Sequence, residues 1–131
     1  MFQRPAFVFS CALLLLGSCG HSQPSLPGFD GAAWRRDVRG CAGLRQAQLP
    51  ALDQHREALY NVHVDAVARL LGRPDEEELQ EQTQRVYYYY VAPGPQCAPG
   101  RPAAATRRLS VRFGSLGTVT EVLYTTPAGR P

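Results

Sequence analysis

Residues 83–91 constrain this chain more than any other segment. They are β-branched or aromatic in bulk, with Val86, Tyr88 and Tyr90 alternating against Tyr87, Tyr89 and Val91. Such a run predicts a strand whose two faces are both apolar or aromatic. Helices laid on one side of a small sheet cover one face only, so one tyrosine pair must face outward or meet something else. Tyr87 with Tyr89 and Tyr88 with Tyr90 are therefore both candidate partner surfaces, because a Tyr ring gives contact area while its hydroxyl stays satisfied at a partner's edge. Arg112, on the outward face of the neighbouring strand, can stack on such a pair or meet an acidic partner. The plainer alternative is that residues 92–105 or the chain ends cover these rings.

The other segments supply the layers around this strand. At 131 residues and 44% apolar, the chain has side chains for one small core and not for two. Asp30 can cap a first helix, with Trp34, Val38 and Cys41 on one face and Arg35, Arg36, Arg39, Asp53 and Glu57 on the solvated side. Pro50 predicts a kink or break near Leu49, or else opens a second segment in which Leu52 and Leu59 continue the buried stripe. Asn61 can cap a short helix carrying Val64, Val67, Ala68 and Leu71 at helical spacing, which Gly72 and Pro74 stop. Residues 75–81, rich in Glu, read as a solvated connector. Residues 92–105 form a long connection rich in Pro, Gly and Ala. Residues 108–113 then alternate, with Leu109, Val111 and Phe113 inward, and residues 114–117 turn into a last strand over 118–124. The phase of that strand is ambiguous, because Val119 and Val122 fall on opposite faces, and a bulge can reconcile them. The expected fold is α+β, with N-terminal helices packed on a three-stranded antiparallel β-meander over residues 30–131.

Ahead of that domain, residues 1–18 carry Arg4 and an apolar stretch too short to span a bilayer, the pattern of an export signal. Leu16-Gly17-Ser18-Cys19 resembles a bacterial lipobox, which implies diacylglyceryl transfer to Cys19 and cleavage before it. An ordinary secretory cut after Gly20 is the alternative. Three acyl chains would anchor the mature protein to a lipid membrane firmly, at about 0.8 kcal/mol per buried methylene. Residues 19–29 then read as a lipidated tether, and Gly20 where an inner-membrane retention signal has Asp implies the outer membrane. Export also places Cys41 and Cys97, the Cys left after Cys11 and Cys19 are accounted for, where thiols oxidise, so a disulfide between them is expected.

The element order, together with Val67-x-x-Leu70-Leu71-Gly72-x-Pro74, the Tyr-rich strand, Leu109-x-Val111-x-Phe113 and Gly117-x-Val119-x-x-Val122, resembles the SmpA/OmlA family of BamE-like lipoproteins over residues 58–124. The resemblance implies a small outer-membrane lipoprotein that supports the insertion of β-barrel proteins, and thus a non-catalytic binding module with a protein partner in the envelope. His63 stands where the family usually has a Thr cap. The same helix-and-meander order also resembles β-lactamase-inhibitor domains, which implies the alternative of a small inhibitor of a secreted enzyme.

No reaction emerges from the residues themselves. His21, His55 and His63 lie in no H-x-x-x-H arrangement and C-x-x-C is absent, so neither metal nor cofactor is expected. Ser115 in Gly114-Ser115-Leu116-Gly117 reads as a turn, since Phe113 occupies the position where a nucleophile elbow needs Gly. All 14 basic residues are Arg, and Lys and Ile are both absent, a bias of a gene that avoids AT-rich codons. With a net charge of only +3 and an export signal, nucleic acid is not an expected partner.

Overall fold

The computed structural model describes residues 21–100 and 106–127. The signal segment, Cys11 and Cys19 lie outside them. Three α-helices, α1 (Gly31–Arg36), α2 (Leu44–Gln54) and α3 (Val64–Leu71), precede four strands, β1 (Glu76–Leu79), β2 (Arg85–Tyr90), β3 (Arg108–Phe113) and β4 (Val119–Thr125). The strands form one antiparallel sheet in the order β1-β2-β3-β4. The class is α+β, and the sheet has one strand more than the sequence suggested.

The additional strand is the glutamate run expected to be a solvated connector. Glu has little intrinsic liking for a strand, but β2 has an open edge that backbone pairing can cover. Glu76 pairs with Tyr88, Glu77 with Tyr87 and Glu78 with Val86. Asp75 at the head of this strand is buried rather than solvated, its side chain only 8% exposed.

The helices cover the sheet face that carries Tyr87, Tyr89, Leu109, Val111 and Phe113, and Trp34, Leu52, Leu59, Val67 and Leu71 fill the space between. The irregularity expected in the last strand is a register shift: Arg112 pairs with Glu121 while Phe113 pairs with Val119. One extra residue, Thr120, lets Val119 and Val122 both be buried.

Helix ends depart from expectation for local reasons. Asp30 caps α1 by accepting from Ala33 N–H at 3.0 Å. The helix stops at Arg36 because the Asp37 carboxylate accepts from Ala42 and Arg45 N–H at 2.7 and 2.9 Å, turning the chain away. Val38 is therefore exposed instead of sharing the Trp34 face. Pro50 lies inside α2 and does not end it. His63, not Asn61, caps α3, while Asn61 takes a left-handed turn and donates to Val119 O at 3.0 Å.

A disulfide joins Cys41 to Cys97, with Cα atoms 5.7 Å apart. It pins the connection after β2 against the turn after α1. Gly40 makes the approach possible, since a Cβ there would stand 2.7 Å from Tyr90 O, and its φ of +69° suits glycine. Residues 21–29 are also more than a tether. Leu26 is buried in the core, and Phe29 packs on Trp34 with ring centroids 5.6 Å apart.

Candidate functional site

The helix-free face of the sheet is where the tyrosine question is decided. Tyr87 and Tyr89 belong to the helix side and are withdrawn as candidate partner residues. Tyr87 meets Phe113 edge-on at 5.0 Å and Tyr89 meets Trp34 at 6.3 Å. The Tyr89 hydroxyl donates to Gly72 O at 2.9 Å, which satisfies it inside the core. Tyr88 and Tyr90 are the outward pair, yet their rings are not bare, being 9% and 0% exposed.

Among the described residues, charged side chains lie over them. The Arg108 guanidinium lies 3.6 Å from the Tyr88 ring centroid, and Arg39 lies 5.1 Å from that of Tyr90. From β1, Glu78 accepts the Tyr88 hydroxyl at 3.0 Å and Glu76 accepts the Tyr90 hydroxyl at 2.5 Å. Glu76 also pairs with Arg108 at 2.5 Å. Burial first, and then the hydrogen bond to Glu76 and its charge, push the Tyr90 phenol up to about 12. Tyr88 is raised for the same kind of reason, with Glu78 as its acceptor.

Arg112 does not stack on a tyrosine. It pairs with Glu121 at 3.3 Å and bonds Gln80 and Gln84 from the β1–β2 connection. The face is thus a layer of aromatic rings under a layer of paired Arg and Glu heads, with Leu123 standing 45% exposed beside it. The Arg108 guanidinium lies on the ring itself and is only 11% exposed, while Glu76, Arg112 and Glu121 keep more of their side chains in solvent. Such a surface can recognise a partner through directional, charge-assisted bonds, with the rings as a rigid floor.

Two further groupings escaped the sequence. The first is a buried polar knot: Arg45, 3% exposed, pairs with Asp75 at 2.5 Å and donates to Trp34 O and Tyr90 O. Asp75 also accepts Tyr90 N–H at 2.8 Å. Satisfied on every side, it ties α1, α2, β1 and β2 together. The sequence signal was weak, since Arg45 looks like any surface Arg. The second grouping could not be read from sequence spacing: His21 and His63 stack with centroids 3.8 Å apart, beside Asp65. Ser115 lies in the expected turn, closed by Gly117 N–H to Gly114 O at 2.9 Å.

No family model, curated protein or solved structure matches this chain.

Proposed function

We propose that this chain is a non-catalytic envelope lipoprotein, anchored through acylated Cys19, which uses the helix-free sheet face to hold a protein partner at the outer membrane. The observation that carries this reading is the two-sidedness of the domain. Leu26 and Phe29 pack into the helix layer, so the described N-terminal segment lies on that side, while the Tyr88, Tyr90, Arg108 and Arg112 face is turned the other way. An anchored module arranged so presents its fixed charged array away from its attachment. The BamE-like resemblance supports the same kind of role, that of an assembly accessory.

Two measurements test it. The intact mass of the membrane-extracted protein is expected to show a chain starting at Cys19 with acyl groups. An unacylated mature chain beginning at His21 would instead favour a released enzyme inhibitor. Partners are then recovered from solubilised membranes with wild type and with the Arg112→Ala/Leu123→Asp variant, after urea unfolding has shown the variant to be folded. Loss of the partner in a folded variant supports the surface. Recovery at wild-type levels removes it.

A further inference from the structure

We propose that His21, His63 and Asp65 form a binding site for a divalent transition-metal cation of the zinc or copper class, which fastens the N-terminal segment to α3. The three residues offer one ligand atom each, and these atoms all lie within 4.8 Å of one another. Tetrahedral zinc, with bonds of about 2.0–2.2 Å, sets its ligand atoms about 3.3–3.5 Å apart. His63 Nδ1 and Asp65 Oδ2, 3.4 Å apart, already have that spacing. His21 has to close by at most about 1.5 Å to join them.

That closure is open to His21 because its side chain is exposed while its backbone is held. Arg69 donates to His21 O at 2.8 Å, and Leu26 is buried further along the same segment. The fold has thus already brought a sequence-distant ligand to α3, which lowers the ordering cost of capture. The two imidazoles are now parallel, within 6° of one another at 3.8 Å. A shared ion must lie in the plane of both rings, so binding makes the rings fan apart. Gly117 leaves room for this, since even a Cβ there would stand 3.4 Å from His63 Nε2.

The ion displaces one weak bond, the 3.3 Å donation from Asp65 N–H to His63 Nδ1. The positive end of the α3 dipole opposes a cation, and the Asp65 carboxylate offsets it. Two imidazoles and one carboxylate suit zinc, copper or nickel, whereas calcium and magnesium prefer oxygen ligands alone. Three protein ligands leave a fourth position for water or a group from outside the chain.

The test uses the full chain with Cys11→Ser and Cys19→Ser in every arm, so that neither thiol competes for metal. EDTA-treated protein is titrated calorimetrically with zinc, and its copper complex is examined by electron paramagnetic resonance. One zinc per chain is expected, undisturbed by excess magnesium, with affinity falling at least tenfold in His21→Ala and unchanged in His55→Ala. The copper spectrum should show two imidazole nitrogens, and one in His21→Ala. His63→Ala also removes a helix cap, so the exposed His21 carries the test. No zinc binding by the parent, or His21→Ala binding zinc as the parent does, overturns the site.

Discussion

At the scale of single residues, the outward tyrosines and Gly40 make the sharpest tests. An unfolded phenol ionises near pH ~10, whereas Tyr90 in the folded chain holds its proton up to about 12. Between those values the folded state binds a proton that the unfolded state has released. The stability contribution is therefore complete below pH ~10 and is lost as pH rises through about 12. Burial raises Tyr89 and Tyr124 as well, so they add to the same alkaline slope. Urea midpoints are expected to fall over this window, and to fall less steeply in Tyr90→Phe; identical slopes would refute the assignment. At Gly40, an Ala side chain meets Tyr90 O at 2.7 Å in a left-handed conformation. Gly40→Ala should cost about 1–3 kcal/mol in urea unfolding. That the missing side chain of Gly40 admits a strand's carbonyl is a tertiary fact with no local signature.

At the scale of elements, legibility followed how much of each element's cause lies within its own residues. β3 alternates and β2 is β-branched or aromatic throughout, so each carries its cause in its own residues. The register of β4 could be seen to need an extra residue, because Val119 and Val122 cannot otherwise share a face, but locating it at Thr120 needed the pairing with β3. β1 was missed since its cause lies elsewhere: in the unpaired edge of β2, in the hydroxyls of Tyr88 and Tyr90 that its glutamates accept, and in Arg45, which holds Asp75 at its start. The outward face of the candidate site was legible as a tyrosine pair, whereas its charged cover depended on this unforeseen strand. Arg45→Met is the corresponding test. It leaves the Asp75 carboxylate buried without its cation and should destabilise by about 3–5 kcal/mol. Hydrogen exchange is expected to quicken first in residues 76–79, because β1 depends most on that pair.

At the scale of the whole molecule, the Cys41–Cys97 bridge spans 56 residues of sequence. Cys41→Ser/Cys97→Ser should cost about 4 kcal/mol in the chain-entropy account, read as a lower urea midpoint than that of the oxidised wild type. The layer arrangement was legible from element order alone, but the start of the packed domain was not. The Pro- and Ser-rich composition of residues 21–29 hid the buried Leu26 and the Phe29 contact with Trp34. The sheet's two borders have a consequence of their own. An open strand edge is a template on which a second copy can continue the ladder. Here one border is a row of three glutamates, Glu76 to Glu78, and the other is bent by the extra residue at Thr120 and partly occupied at Val119, whose carbonyl accepts from Asn61 N–H and whose N–H donates to Val62 O. Copies meeting edge to edge would set carboxylate against carboxylate or bent strand against bent strand. The β1 border, with its three carboxylates, therefore resists pairing with the β1 border of a second copy.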